Sequence, residues 1–562
     1  MRDQLRQHLR AILDTYDAVS ADFEVELERP AQPEHGDWAT NTAMRLASVL
    51  KNNPRAIAEE LATKLRARVD PKRVSAVEVA GPGFINIRLA DTYLTDQLAS
   101  ALKAGSSYGR TTTGAETSAI VEYVSANPTG PLTVGHGRNA VLGDTVANLL
   151  EWTGCDVTRE YYYNDAGRQM RVLAQSVRAR YEALVADVEM KTLTHEDGST
   201  VEVPVSFPDD GYQGAYIIDI AQKLADEHGA ALLTTDSLRP FQDKAEEVIF
   251  AEIEGTLARL GIEMDDYFNE RRLYDDNRVQ DTVDRLTEEG YTYEKDDALW
   301  FKTTAFGKDK DTVLIKQTGE PTYRTPDIAY HADKFERGFD AIIDVLGADH
   351  VATYPDVISA LDVLGYDTDR VEVLLYQFVT LVRGGEPVKM STRRANYVTL
   401  DDLINEVTAD VTRFFFLMRS ASTHLDFDLD LATEASDKNP VFYLQYAHAR
   451  ICSIYDKAAE VGLDTTGDAD LTLLTHDDET ALIKELLRFP EVIDRAAAQR
   501  APHHVATYLR EVATAFSQFY GSCHIIGEDD ALGTARLKLA DATRTVLRNG
   551  LTVLGIDAPA SM

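Results

Sequence analysis

The sequence predicts a multidomain α/β protein built on a doubly wound, Rossmann-like parallel sheet, and three observations lead there. Between about residues 118 and 400, apolar strand-like runs alternate with amphipathic helical runs, as in a parallel sheet covered by helices. Inside that stretch a strand at 119–124 enters the loop Asn127-Pro128-Thr129-Gly130-Pro131. A helix follows, carrying Leu142, Val146, Leu149 and Leu150 on one face and ending near Gly154. After Leu400 strand signals nearly vanish and helical periodicity runs to the end of the chain.

Taken in order, residues 1–104 mix helical pattern (2–16, 42–50, 54–68) with a strand at 84–89, so an α+β amino-terminal domain is expected. The stretch 105–119, rich in Ser, Thr and Gly, reads as a linker. The parallel-sheet domain is expected over 118–405. Residues 185–300 interrupt its two halves as an insertion that includes a polar, hairpin-like segment at 192–208. A long apolar strand at 371–382 precedes the turn Gly384-Gly385 and then Lys389-Met390-Ser391-Thr392-Arg393. An all-α bundle is expected over 406–562, with an acidic loop at 464–470.

Composition narrows the class. No apolar run approaches the roughly 18 residues of a membrane span, and the amino terminus mixes Arg2, Arg6 and Arg10 with Asp3, Asp14 and Asp17, unlike a signal peptide. A cytoplasmic protein is expected. Cys155, Cys452 and Cys523 lie far apart with no C-x-x-C pair, which argues against a cysteine-based structural zinc site and fits a reducing compartment. Acids outnumber bases 93 to 57, for a net charge of −36, and the bases are 18 Lys and 39 Arg. That balance points to a hydrated acidic surface suited to high intracellular salt, the alternative being an ordinary acidic protein. Molar salt cuts the screening length to about 3 Å, so an acidic surface would repel a polyanion only at close range.

A parallel sheet binds nucleotides at the carboxyl ends of its strands, where the strand order reverses. Several residues can converge there. Thr133-Val134-Gly135-His136 opens a helix after a strand, which points free backbone N–H groups and the positive helix end at a phosphate. Gly135 permits close backbone approach, and His136 can donate a hydrogen bond to a phosphate oxygen. Asp349, in Gly347-Ala348-Asp349-His350 after a strand at 340–346, suits ribose hydroxyls. Lys389 supplies a mobile cation beside Met390, and Ser391 a hydroxyl.

These two motifs closely resemble the nucleotide-binding signatures of class I aminoacyl-tRNA synthetases, and the flanking sequence narrows the resemblance to the arginyl-tRNA synthetases. The family-like stretches are residues 122–144, 161–167 (YYYNDAG), 319–331 (GEPTYRTPDIAYH), 345–350 (VLGADH), 413–430 and 439–452 (NPVFYLQYAHARIC). The likeness runs from Gly36-Asp37 to the carboxyl terminus. It implies a ligase that activates arginine with Mg²⁺-bound ATP and transfers it to tRNA(Arg), acting as a monomer with neither DNA nor a membrane as partner. His136, Lys389, Thr133 and Ser391 would be its catalytic residues, and Gly135, His136, Gly347, Asp349, His350 and Met390 would bind ATP. Four departures stand out. Thr133 replaces the first histidine of one motif and Thr392 a lysine of the other, so Arg393 or Arg394 would supply part of the missing charge. Ala395 stands where glycine is common, and Val351-Ala352 where the family often has His-Gly.

By the same resemblance Glu122 and Asn127 hold the amino-acid portion of the substrate, while Tyr323 and Asp327 receive its guanidinium. Arginine is always cationic and presents a fork of donors, so selective binding needs paired acceptors. Tyr323 and Asp327 are spaced i, i+4 and would share a helix face. Alternatively Asp327 is a helix cap and Tyr323 a core aromatic. For tRNA the resemblance implies Phe84 and Asn86, on one face of the 84–89 strand, at the elbow. It implies Tyr443, Tyr446, Arg450 and Met562 near the anticodon. The competing readings are a core Phe84 and a structural aromatic stripe, and Arg419 and His424 have no clear role. Three other identities compete. One is a different class I synthetase, though cysteinyl and methionyl enzymes commonly rely on zinc ligands absent here. The others are a catalytically dead RNA-binding relative and a plain nucleotide-binding α/β protein.

Overall fold

The structure is a computed structural model that describes residues 1–194, 200–388, 398–527 and 529–562. The first residues form α1 (Arg2–Leu13), β1 (Trp38–Thr40), α2 (Thr42–Leu50), α3 (Pro54–Arg66), β2 (Val74–Ala80), β3 (Phe84–Leu89) and α4 (Asp91–Ala104). The strands make an antiparallel sheet in the order β1-β3-β2. Alternation along β3 sends Ile85, Ile87 and Leu89 into the core and leaves Phe84, Asn86 and Arg88 half-buried on the other face.

The central region contains β4 (Ser118–Glu122), α5 (Val134–Trp152), β5 (Asp156–Tyr163), α6 (Gly167–Val185), β6 (Met190–Thr194), β7 (Thr200–Pro204), α7 (Ala215–His228) and α8 (Arg239–Arg259). Next come β8 (Asp266–Asn269), α9 (Arg271–Asp275), α10 (Arg278–Glu288), β9 (Thr292–Lys295), β10 (Ala298–Phe301), β11 (Thr312–Ile315) and α11 (Arg324–Glu336). It closes with β12 (Ala341–Gly347), α12 (Tyr354–Val363), β13 (Val371–Tyr376), β14 (Val379–Arg383) and β15 (Glu386–Pro387). The main sheet is parallel throughout, in the order β13-β12-β4-β5-β8. The chain starts at β4, grows outward through β5 and β8, then returns to add β12 and β13 on the other side. Strand order therefore reverses between β4 and β12, the place where open α/β sheets bind ligands.

Two expectations change. The stretch 185–300 does not stand wholly outside the sheet, because β8 returns to pair with β5. Its four residues are too short for the periodicity signal to register. The expected strand at 371–382 breaks into β13 and β14. At Gln377 the backbone N–H donates to Ala421 O and the carbonyl accepts from Arg138, which pulls the chain out of the main sheet. β14 pairs instead with a strand beyond Leu400, β16 (Leu425–Asp428).

Beyond this point the chain is helical apart from β16: α13 (Leu400–Val407), α14 (Ala409–Leu417), α15 (Leu429–Thr433), α16 (Pro440–Glu460), α17 (Asp477–Leu486), α18 (Phe489–Ala498), α19 (His503–Ser522) and α20 (Asp530–Val553). Arg413, 1% exposed, staples these helices to the sheet domain. Its guanidinium donates to Leu554 O at the end of α20, Leu260 O at the end of α8, and Asp144 Oδ2 on α5. A Cβ at Gly555 (φ +69°) would lie 2.2 Å from that guanidinium, so the chain passes it as glycine. No described helix is long and apolar enough to cross a membrane. Replacing Arg413 by Ala leaves the buried Asp144 carboxylate with only Arg159 at 3.8 Å and Asn148 at 3.4 Å, and chemical denaturation should then show a loss of about 3 kcal/mol.

Candidate active site

The crevice lies over the carboxyl ends of β4 and β12. Lys334, on α11, is fully buried, and its ammonium donates to Glu122 Oε2 and Asp344 Oδ1, both at 2.6 Å. Glu122 closes β4 and Asp344 lies on β12, so one cation ties both strands to α11. Asp344 Oδ2 also meets His331 Nε2 at 2.8 Å, while His331 Nδ1 bonds Asp327 O at 2.8 Å. Burial opposes each charge in this chain. The paired carboxylates nevertheless hold Lys334 and His331 above their ordinary pKa, and the two cations hold Asp344 well below the usual carboxylate range.

Glu122 Oε1 accepts from Ser125 Oγ at 2.8 Å. Val124 and Ser125 both take positive φ (67° and 44°), an uncommon conformation, and for a β-branched valine an outlier. Asn139 holds this corner: its Oδ1 accepts from Val124 N at 2.6 Å and its Nδ2 donates to Val345 O at 2.8 Å. Asn127 follows, with Oδ1 accepting from Asn164 N and Nδ2 donating to Gln169 Oε1.

Thr133 and His136 form a reciprocal cap at the start of α5. The Thr133 hydroxyl accepts from His136 N at 3.4 Å, and His136 Nδ1 accepts from Thr133 N at 3.2 Å. Because Nδ1 is the acceptor, the ring proton sits on Nε2, and burial lowers the ring's pKa, which favours the neutral donor. Thr133 therefore acts as the helix cap. Leu132 O accepts from Leu400 N at 2.8 Å, and Thr133 pairs with Thr399, so the helical region's first turn is stitched to the signature loop. Lys389, Met390, Ser391, Thr392, Arg393, Arg394 and Ala395 lie outside the described residues.

Gly347 ends β12, where a Cβ would meet Asp349 Oδ1 at 2.4 Å, and Asp349 and His350 stand exposed in the turn at 348–352. On the far side of the crevice α11 begins at Arg324 with Tyr323 as its amino-terminal cap residue. Tyr323 is 76% exposed, so it is not a core aromatic. Asp327 makes no capping bond: among the described residues no hydrogen bond reaches its carboxylate. Burial, with Glu122 and Glu270 adding to it and His331 opposing, pushes Asp327 up to about 7.

Sequence reasoning missed Glu270, Lys334 and Asn139. Glu270 accepts from Tyr162 Oη at 2.6 Å, Asn164 Nδ2 at 2.7 Å and Tyr274 Oη at 3.4 Å, and it contributes to the field at Asp327. Its signal was an acid directly after a strand, hidden because β8 was read as insertion. Lys334 was legible as a lysine on the apolar face of α11, beside Ile328, Tyr330 and Phe335. The other predicted residues lie apart from this crevice. Tyr443 lines a groove of about 870 Å³ between helices, with Arg419, Lys438, Arg488 and Arg510. Tyr446, 47% exposed, stacks on Phe442, and Arg450 lies over Tyr520. The carboxyl-terminal tail is tied to α16 by His448 to Pro559 O and Gln445 to Asp557 O, leaving Met562 exposed nearby. His424 meets Thr380 and joins neither place.

A doubly wound parallel sheet, a capped signature helix at its switch point and a carboxyl-terminal helical region define a class I aminoacyl-tRNA synthetase. The description "tRNA synthetases class I (R), catalytic domain" matches residues 97–415, "Arginyl tRNA synthetase N terminal domain" matches 1–89, and "DALR anticodon binding domain" matches 444–562. The chain is 69% identical over 562 residues to an arginine–tRNA ligase of Salinibacter ruber, covering 100% of both chains. It is 50% identical over 538 residues to an arginine–tRNA ligase of Desulfotalea psychrophila, covering 95% of this chain and 94% of that one. The arginyl-tRNA synthetase structure of Thermus thermophilus shares the fold, with TM-score 0.77, 22% identity and full coverage of both chains. This chain belongs to the arginyl-tRNA synthetase family, and its activity is that of an arginine–tRNA ligase.

If Asp327 receives a cation, the site favours it only when ionised. Arginine affinity should therefore weaken as pH falls through about 7, by up to about tenfold per unit. Calorimetric titration of arginine between pH 6 and pH 8 checks this, and Asp327→Asn should flatten the profile.

Proposed function

We propose that the crevice seats arginine against ATP at the β4–β12 switch point, with the roles divided as follows. Glu122 and Asn127 hold the amino-acid end. Asp327 receives the guanidinium, with Tyr323 covering it and Glu270 adding to the negative field. A carboxylate–guanidinium pair is the strong and specific form of this contact. The observation that carries the assignment is the half-buried Asp327 carboxylate, which has no hydrogen-bond donor among the described residues and faces two further acids. A neutral analogue would leave that acid uncompensated, so discrimination needs no editing step.

On the ATP side, Gly135 permits close approach of the phosphates, His136 donates from Nε2, and Gly347, Asp349 and His350 form the ribose turn. Lys389, Met390 and Ser391 complete the site in this reading, with Lys389 offsetting charge on the departing pyrophosphate. A carboxylate oxygen of arginine attacks the α-phosphorus, the bond to the β-phosphate oxygen breaks, and pyrophosphate leaves with arginyl-adenylate formed. A hydroxyl of the terminal ribose of tRNA(Arg) then attacks the arginyl carbonyl carbon and AMP departs. No covalent enzyme intermediate is required. The rate comes from alignment and from donors already aimed at developing charge. Mg²⁺ accompanies ATP, held mainly by phosphate oxygens and water.

In the same reading Phe84 and Asn86 meet a base at the tRNA elbow, and Tyr443, Tyr446, Arg450 and Met562 meet the anticodon. Their half-buried or exposed positions support base stacking, the usual mode for unpaired RNA. The acidic, lysine-poor composition supports a cytoplasm of high salt as the working medium, and the family resemblance implies a monomer.

Asp327→Asn should raise the KM for arginine at least about a hundredfold while the KM for ATP moves less than threefold, as a lost buried ion pair implies. Steady-state aminoacylation decides it, and an unchanged arginine KM would overturn the assignment. The melting temperature should climb as KCl is raised from 0.1 M toward molar concentrations, and a flat or falling curve in thermal scanning would remove the salt-adaptation reading.

A further inference from the structure

A second buried carboxylate, outside the catalytic crevice, joins the two halves of the site. Asp356, on α12, is 1% exposed and takes two cations from different segments. Arg324 Nε, from the first residue of α11, donates to Asp356 Oδ2 at 2.8 Å, and the Lys308 ammonium pairs with Oδ1. Thr312 Oγ1 donates to Oδ2 at 3.1 Å.

These partners mark three structural units. Arg324 lies between Tyr323 and Asp327, on the helix that carries the guanidinium subsite. Asp356 begins the helix that follows the ribose turn, and Lys308 Nζ also donates to Ala352 O, the last residue of that turn, at 2.9 Å. Thr312 opens β11 of the small antiparallel sheet of β9, β10 and β11, and Lys308 lies in the loop that joins β10 to β11. That sheet also straps the start of α11: Thr322 N and Thr325 Oγ1 both donate to Leu314 O, and Thr322 Oγ1 donates to Val313 O. The β10–β11 loop thus grips the ribose turn through Lys308, and β11 grips the arginine helix, with Asp356 shared between them.

We infer that Lys308 and Asp356 are positioning residues that couple the ATP and arginine subsites. Occupancy of the ribose turn steadies Ala352 and Asp356, and Asp356 in turn fixes Arg324 and the first turn of α11. A charge shared between two elements makes displacement of one costly to the other, because a buried carboxylate that loses a cation is left uncompensated. Coupling of this kind is reciprocal between ligands and commonly amounts to about 5–150-fold in affinity. This inference rests on the proposed substrate placement.

The test uses the full chain with tRNA present. Arginine affinity is measured by calorimetry with and without a saturating non-hydrolysable ATP analogue and Mg²⁺. Wild-type protein should bind arginine at least about fivefold more tightly when the analogue is bound. Lys308→Met should lose most of that factor while arginine affinity without the analogue changes less than about twofold, and Lys308→Arg should restore it. Lys308 is partly exposed, so both variants are expected to fold. A wild-type factor of one, or a wild-type factor in Lys308→Met, overturns the coupling. Asp349→Ala and Asp327→Asn separately test the placement. If they leave analogue and arginine binding intact, the placement fails, whatever Lys308→Met does.

Discussion

The buried ammonium of Lys334 is the contact on which the site depends. A lysine with no solvent access is costly unless its charge is met, and here two carboxylates from two different strands meet it. Because Glu122 ends β4 and Asp344 lies on β12, the same ion fixes the spacing of the strands that flank the switch point. Because Lys334 lies two turns along α11 from Asp327, it also sets the height of that helix against the sheet. The geometry at the switch point is thereby tied to the chain's own electrostatic balance rather than left to loops.

The remaining polar groups around the crevice follow the same logic. Asn139 spans from Val124 N to Val345 O, so the signature helix holds both strand ends and stabilises a backbone corner that would otherwise be disfavoured. Arg138, next to it, donates to Gln377 O, Ser420 O and Thr423 O, and anchors the point where β13 leaves the sheet. Consecutive residues of one helix thus face opposite structural duties. A rigid first turn with fixed donors suits a reaction whose rate comes from placement. Among the described residues the Asp327 carboxylate accepts no hydrogen bond, unlike Glu122, Asp344 and Glu270 around it, and in the proposed reading it is the acid that meets the cationic substrate.

Much of this was legible in the residues. The strand at 119–124, the loop with its prolines and glycines, and the helix with Thr133 and His136 at its head appear nearly where periodicity put them, because local signals dominate there. The i, i+4 spacing placed Tyr323 and Asp327 together at the head of one helix, and the structure adds that Tyr323 is exposed. Two things were not legible. β8 is too short to show a period, and β14 leaves the main sheet for β16 although its apolar pattern runs on from β13 without a break. Hydrophobic pattern reports that a residue is covered and does not report by which partner.

The sequence by itself determined the kind of elements and the layered α/β and all-α regions. Those properties follow from local spacing, helix caps and residue types, which act within a few turns of chain. Only the tertiary structure decided which charges face one another. Lys334 with Glu122 and Asp344, Glu270 with Tyr162 and Tyr274, and Asp356 with Lys308 and Arg324 join residues up to 212 positions apart. Such pairings are settled by the low dielectric of the interior, where a charge left unpaired costs more than most backbone rearrangements.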